Sequence, residues 1–198
     1  MAKGPRYRVP LKRRRENKTN YHKRRIMVLT KTPRLVIRRS SRYITTQIIE
    51  ALPQGDHTLL ASTSKELSKY GWKTPSGNLP AAYLTGVIAG YKARAKGIGS
   101  VIPDIGLRRA SSGSRVFAVI KGVQDAGLDV PCTEMMPDET RLKGQHIASY
   151  AEQLQQTSPI DYEQRFRHYI SIGIKPEELP THFEKIKAKI IQQSELEE

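Results

Sequence analysis

The sequence "AAYLTGVIAGYKARAKG" (residues 81–97) has the clearest helical periodicity in the chain. Its large apolar side chains recur at the spacing of one helix face, at Tyr83, Leu84, Val87, Ile88 and Tyr91. Its small residues also recur every four positions, at Ala82, Gly86 and Gly90. Because a stripe of small residues lets another backbone come close, we expect this helix to pack tightly against a sheet.

Three short segments before this helix predict a three-stranded antiparallel meander. They are "RLVIRR" (34–39), "RYITTQIIE" (42–50) and "HTLLAST" (57–63), separated by Ser40-Ser41 and by the turn signal "PQGD" (53–56). Ile44, Thr46 and Ile48 should share one face of the sheet. The next segment, "KYGWKTPSGNLP" (69–80), predicts a long loop, whose Trp72 suits a buried anchor or a binding contact equally well.

Beyond the helix, "SVIPDIG" (100–106) resembles a strand and "SSGSRVFAVIKGVQDAG" (111–127) predicts a second helix. Ser112 or Ser114 would cap this helix and Gly127 would end it. The order βββαβα predicts an α/β (α+β) fold: the meander plus a further strand, with two helices packed on the sheet.

From residue 129 the sequence predicts three short amphipathic helices that cover the body or a partner protein. Their apolar positions are Ile147, Tyr150, Ala151 and Leu154, then Tyr162, Phe166, Tyr169 and Ile170, then Leu179, Phe183, Ile186 and Ile190. The expected organisation is therefore a basic arm with a short helix (1–30), an α/β body (31–130) and a helical C-terminal extension (131–198).

The net charge of +15 is confined to the start of the chain. The first 42 residues hold 16 Lys and Arg against Glu16 alone, whereas the remainder holds 18 basic and 18 acidic residues. Residues 1–18 lack an apolar period and contain Pro5 and Pro10, so we expect an extended arm that can reach roughly 60 Å. Thr19 would then cap a short helix that ends near Thr30.

Positive charge at this density predicts a polyanionic partner, and the nearby rings of Tyr7, Tyr21 and His22 favour nucleic acid. A solvated tail is the alternative, and a membrane surface is disfavoured because the arm has no apolar face. Basic residues continue into the first strand, where an ordinary solvated strand edge is the alternative to RNA contact. The serines at 111–114, beside Arg108, Arg109 and Arg115, could bind a phosphate, although helix capping explains them equally well.

Other classes of protein find little support in the sequence. Cys132 is the only cysteine, so no internal disulfide forms and a reducing compartment is expected. There is no apolar run of about 18 residues and no secretory signal, so we expect a cytoplasmic protein without a membrane span. The carboxylates are scattered and the five His lack metal-ligand spacing, so we expect no enzyme activity, no metal and no cofactor.

Several segments in this order resemble one family. They are "GPRYRVPLKRRRENKTNYHKRR", "KTPRLVIRRSSRYI", "YGWKTPSGNLPAAYLTGVIAG", "PDIGL", "GSRVFAVIKGVQDAGLDVP" and "LPTHFEKIKAKI". The chain resembles the large-subunit ribosomal protein eighteen family in its longer archaeal form. This resemblance implies a ribosomal protein that binds 5S rRNA and attaches it to 23S rRNA in the central protuberance. The implied protein partners are neighbouring ribosomal proteins, including the other 5S-binding protein.

The candidate RNA contacts come from this resemblance together with the charge pattern. In the arm and its helix they are Arg6, Tyr7, Arg8, Lys12, Arg13, Arg14, Arg15, Lys18, Tyr21, His22, Arg24 and Arg25. In the body they are Arg34, Arg38, Arg39, Ser40, Arg42 and Lys73. From the residues alone, a DNA-architectural protein with a basic arm and an RNA-processing nuclease remain as alternatives.

Overall fold

A computed structural model describes residues 4–16, 18–106, 109–132 and 134–197, with side chains to residue 194. The strands are β1 (Arg34–Arg39), β2 (Ile44–Ala51), β3 (Asp56–Thr63) and β4 (Ile102–Asp104). The helices of the arm and body are α1 (Lys12–Arg15), α2 (Tyr21–Thr30), α3 (Leu79–Arg94) and α4 (Arg115–Asp125). Those of the C-terminal region are α5 (Glu139–Lys143), α6 (Gln145–Thr157), α7 (Pro159–Arg165), α8 (Arg167–Ile172) and α9 (Leu179–Glu197). 3₁₀ helices occupy Ser64–Tyr70 and Pro176–Glu178.

The strands form one sheet in the order β3-β2-β1-β4, which confirms the meander and the mixed α/β class. β1 pairs antiparallel with β2, and β2 with β3. The fourth strand is shorter than the predicted segment and lies parallel to β1, with Leu35 opposite Pro103. It therefore extends the meander beyond its first strand.

The two faces of the sheet have different environments. Ile44, Thr46 and Ile48 are all buried, as predicted, and face α3 and α4 together with Leu35 and Ile37. This is the helical face, and it carries the hydrophobic core. The opposite face, here called the open face, contains the alternate positions of each strand and is crossed in part by α2.

The small residues of α3 face α4, so the expectation that they would contact a sheet was wrong. A Cβ atom at Gly86 would lie 2.2 Å from the Val119 carbonyl oxygen, and one at Gly122 would lie 2.3 Å from that of Tyr83. The stripe correctly indicated a close backbone approach. It could not indicate the partner, because a helix and a sheet impose the same requirement for small side chains.

The segment before α3 differs from the predicted long loop. The 3₁₀ helix Ser64–Tyr70 begins with a capping box between Thr63 and Glu66, a signal that the sequence analysis missed. α3 starts earlier than predicted, because the Asn78 side chain caps it and Pro80 is tolerated in its first turn. The loop is thereby reduced to residues 71–78.

The helix after β4 ends as predicted, where Gly127 adopts a φ of +95°. Ser114 occupies the N-cap position of α4, but its side chain makes no capping hydrogen bond. The predicted cap residue is therefore correct, but the expected capping hydrogen bond is absent.

The C-terminal region contains more helices than the three that we expected. α5 is an additional helix before the first predicted one and ends at Gly144, while the second predicted helix is divided at Phe166 into α7 and α8, which ends at Gly173. α9 is 19 residues long, because Pro180 lies in its first turn and nothing interrupts it afterwards. Most of the predicted apolar positions join the core of the body, but Tyr150 and Ile170 stay 41% and 46% exposed.

Candidate nucleic-acid interface

The arm makes its described contacts within itself. Residues 4–16 and Lys18 are all exposed, and the hydrogen bonds and ion pair found for them are local. The Arg13 Nε donates to the Thr19 hydroxyl over 2.8 Å, and Lys18 pairs with Glu16 at 2.9 Å. The arm therefore presents its charge to the surroundings instead of burying it in the body.

We expected an extended arm, but part of it is helical. The consecutive residues Lys12–Arg15 form α1. Lys and Arg are good helix formers, and Pro10 lies before the helix, where it interrupts nothing. Four adjacent cations repel one another without compensation from the single acid nearby. An external polyanion would remove that repulsion.

Helix α2 connects the arm to the sheet. Its cap is Asn20 and not the predicted Thr19: the Asn20 side chain accepts hydrogen bonds from the His22 and Lys23 backbone N–H groups at 3.1 and 3.2 Å. Tyr21 and Arg24 are partly buried, whereas His22 and Arg25 are exposed. The helix thus holds part of its charge against the protein and presents the rest outward.

A chain of alternating charges crosses the open face and involves three of the predicted RNA contacts. Asp56 accepts hydrogen bonds from both Arg24 and Arg34. Asp104 pairs with Arg34 and with Arg38, each at 3.1 Å. We call these five residues the arginine–aspartate network; it joins α2 to β3, β1 and β4.

The network separates the predicted contacts by accessibility. The Arg34 side chain is 16% exposed, and both ends of its guanidinium group are paired with carboxylates. Arg38 is 49% exposed and has open solvent on one side. No local pattern in the sequence indicates these pairs, because the partners of Arg34 lie 22 and 70 residues away.

The opposite end of β1 brings together a second group of predicted contacts. The Ser40 hydroxyl donates to the Tyr43 carbonyl oxygen and accepts from its backbone N–H, which fixes the turn between β1 and β2. The loop at 71–78 packs on this turn, since a Cβ at Gly77 would lie 3.0 Å from the Arg42 carbonyl oxygen. Arg42 and Lys73 thereby line one cleft of about 1180 Å³.

The cleft also contains groups that the sequence analysis did not single out. Lys65 lies over the ring of Tyr43, 4.7 Å from its centroid, and His168 lines the cleft from α8. The described lining residues include Lys, Arg and His but no carboxylate. A half-exposed aromatic ring among cations can stack on a base while the cations pair with phosphates.

Trp72 is a buried anchor of this loop, which decides between the two roles left open above. Its side chain is 3% exposed and stacks on His182, with ring centroids 5.2 Å apart. Burial lowers the pKa of His182, and the positive charges of Lys185, Lys189 and Lys73 lower it further. The neutral imidazole can therefore stay against the indole while α9 holds the loop in place.

The scattered carboxylates have structural partners. Asp56 and Asp104 belong to the network, Glu66 pairs with Lys92, and Asp125 pairs with Lys121. Among the described residues, no cluster of His, Cys, Asp and Glu could hold a metal ion.

Burial raises the pKa of Cys132, so its thiolate form is disfavoured. Within the residues that the structure describes, no helix is both long enough and apolar enough to cross a bilayer.

The fold and the charge distribution define an α/β protein with a projecting basic arm, of a class that pairs with a polyanion. A model of the family described as "Ribosomal large subunit proteins 60S L5, and 50S L18" matches residues 5–98 and 90–133. The chain belongs to this family. It is accordingly a structural component of the large ribosomal subunit and not an enzyme, and its partners are rRNA and ribosomal proteins.

Curated archaeal relatives match over the full length. The "Large ribosomal subunit protein uL18" of Ignicoccus hospitalis is 50% identical over 199 residues, which cover 100% of this chain and 98% of the relative. Proteins of the same name from Caldivirga maquilingensis and Staphylothermus marinus are each 50% identical, over 97% and 98% of this chain and 94% and 96% of their own lengths. The expected archaeal type and a ribosomal localisation agree with these matches.

Proposed function

We propose that this chain binds 5S rRNA and attaches it to 23S rRNA in the central protuberance of the large subunit. Neighbouring ribosomal proteins, including the other 5S-binding protein, would complete its surroundings. The family assignment supports the large subunit, and the resemblance of the arm and body motifs supports the particular RNAs. The predicted RNA-contact residues form part of this proposal.

The observation that carries the proposal is the concentration of positive charge at the start of the chain. The whole net charge of +15 lies in the first 42 residues, and the described arm residues among them are exposed. A cationic start of the chain, followed by residues 43–198 without net charge, suits a protein that is held by the arm and oriented by the body. Nonspecific adhesion would not require the charge to be segregated in this way.

The arm supplies affinity through phosphates and through its rings. Arg side chains bind phosphate with two parallel hydrogen bonds, and Tyr7, which is 46% exposed, can stack on an unpaired base. Duplex RNA is recognised mainly by its shape, its phosphates and its 2′-hydroxyl groups. A narrow arm can enter a groove between two RNA molecules that the body cannot enter.

The test compares the full chain on a 5S rRNA transcript and on a DNA duplex of equal length, at about 150 mM salt. We expect clear preference for the RNA. If the eight Lys and Arg of residues 1–18 each neutralise a phosphate, log K should fall with log salt at a slope of roughly −6 to −7. Equal affinity for the two nucleic acids would contradict the proposal.

A further inference from the structure

A second cavity, of about 710 Å³, lies beside the cleft and is lined by four arginines from four different parts of the fold. Arg39 comes from the end of β1, Arg109 from the segment before α4, Arg115 from the first turn of α4, and Arg141 from α5. We call it the arginine cavity. Gly77 and Asn78 line both it and the cleft, so the two lie side by side.

The arginine cavity brings positively charged side chains together in one concave site. The described residues that line it include four Arg and His146 but no Asp or Glu. Three of the four arginines belong to residues 43–198, which carry equal numbers of basic and acidic side chains, so their concentration here is a local arrangement. A concave site lined by a single sign of charge focuses its field and attracts counter-ions.

The backbone at the cavity adds donors of the same character. The first turn of α4 borders the cavity at Ser114, Val116 and Phe117, and the Ser114 side chain does not cap it. The amide groups at the start of an 11-residue helix favour an anion. Arg115 is held in position by donating to the Gly77 carbonyl oxygen, so the wall of the cavity is fixed before any ligand arrives.

We propose that the arginine cavity binds a backbone phosphate group of rRNA, so that the body holds RNA at a place separate from the arm. The proposal rests on the proposed function, since it assumes that the body lies against RNA. A phosphate fits because guanidinium groups bind its oxygens bidentately and helix amides can complete the coordination.

The position of the cavity supports a separate contact. Arg39 lies at the end of β1 opposite to Arg34, which contacts Met27 of α2, and five residue steps along a strand span about 16 Å. Arg39 pairs with Ile44 on the helical face, whereas Arg34 lies on the open face. The arm's helix and the cavity are therefore at opposite ends and on opposite faces of the sheet.

Arg141 gives the C-terminal region a share in this site. α5 belongs to the segment after residue 133, where the family model stops matching. The serines and Arg115 are close together in the sequence, whereas Arg141 lies 26 positions beyond Arg115 and joins them only in the fold. The C-terminal region thus supplies a ligand as well as a covering for the core.

The test removes two exposed charges from the full chain with the double substitution Arg109→Gln and Arg141→Gln. A matched control, Lys175→Gln with Lys185→Gln, removes two exposed charges elsewhere. Binding to 5S and 23S rRNA transcripts is measured against salt. We expect the cavity variant to bind at least one transcript about tenfold more weakly and with a salt slope flatter by about 1, because one phosphate contact is lost, and the control to change little.

A second measurement titrates inorganic phosphate into the unmodified chain and into the cavity variant, with NMR detection of His146 and of the α4 amides. Desolvation and Arg141 lower the pKa of His146, and a bound phosphate should raise it. The site is supported if phosphate causes saturable NMR chemical-shift changes in the unmodified chain that the variant lacks. It is also supported if the variant differs only in its weaker RNA binding. Shifts without an RNA effect overturn the assignment to RNA, and the absence of both overturns the site.

The two proposals can fail separately. If the unmodified chain binds 5S rRNA and the cavity variant matches the control on both transcripts, the cavity proposal fails and the proposed function stands. If the unmodified chain binds neither transcript, the proposed function fails, and the phosphate titration alone decides whether an anion site exists.

Discussion

Asp56 shows how a single side chain can join the arm to the body. Its carboxylate accepts hydrogen bonds from Arg24 of α2 and from Arg34 of β1, so it links a helix that carries arm charge to the sheet. A free guanidinium on Arg24 would be available to RNA. Because it is paired, Arg24 contributes first to positioning α2.

We predict that Asp56→Asn loosens α2 while the sheet stays folded. The amide cannot neutralise two arginines, and the side chain is only 33% exposed, so the free energy of unfolding should fall by about 1–2 kcal/mol. Hydrogen exchange of the α2 amides should quicken more than exchange in β2. Asp161→Asn, at an exposed position of α7, is the control. Unchanged exchange in α2 would show that Asp56 does not hold this helix.

His182 makes the stability of the loop anchor depend on pH. The folded protein lowers the pKa of His182 below the usual value of about 6.5, so the unfolded chain binds the proton more readily. The stabilising contribution is therefore complete above about pH 6.5 and is lost as the pH falls below it.

We predict that the denaturant midpoint falls between about pH 7.5 and pH 5.5, and that His182→Gln reduces this fall. Glutamine does not titrate in this range. The native imidazole takes up a proton as the pH falls, and that positive charge is unfavourable beside Trp72 and three lysines. Exposed His57→Gln serves as the control. An identical pH dependence in the native chain and in His182→Gln would exclude His182 as the source.

At the level of the elements, the sequence predicted what depends on local spacing. β1, β3 and α2 lie within a residue or two of their predicted bounds, because alternation and turn residues act over a few positions. The sequence did not predict which distant elements contact each other. The α3–α4 contact and the arginine cavity each depend on which surfaces meet, and no local pattern records that.

We predict that Gly86→Ala destabilises the protein by about 2–3 kcal/mol, although alanine is the better helix former. The added methyl group would meet the Val119 carbonyl oxygen at 2.2 Å, so α3 and α4 would have to separate. Denaturant unfolding measures the effect. Gly99→Ala is the matched control, since nothing lies within 4 Å of its added Cβ and we expect a change within about 0.5 kcal/mol. Equal stability of the two variants would show that the helices have room to adjust.

For the whole molecule, the concentration of charge at the start of the chain was legible in the sequence, but the pairing of some of these charges within the protein was not. Arg24, Arg34 and Arg38 resemble their neighbours in the sequence, yet the structure pairs them with Asp56 and Asp104. Only the fold brings these carboxylates to the open face. Among the described arm residues, the ion pair found is Lys18 with Glu16 inside the arm itself, so the charge pattern of the arm could be judged from the sequence alone.

The final prediction concerns the arm as a unit. Deleting residues 1–18 should leave the body's free energy of unfolding within about 0.5 kcal/mol, because the described contacts of this segment are nearly all internal and Asn20 still caps α2. Binding to 5S rRNA should weaken at least about tenfold, and its salt slope should flatten by about 6, since eight Lys and Arg are lost.

A full-length chain with Arg13, Arg14 and Arg15 replaced by Gln separates charge from length. It should lose part of the affinity and flatten the slope by about 2–3, with unchanged stability. Loss of cooperative unfolding in the truncated chain would mean that the arm is part of the folded core. Full affinity in the truncated chain would move the RNA contact to the body, where the arginine cavity and the adjoining cleft would then have to supply it.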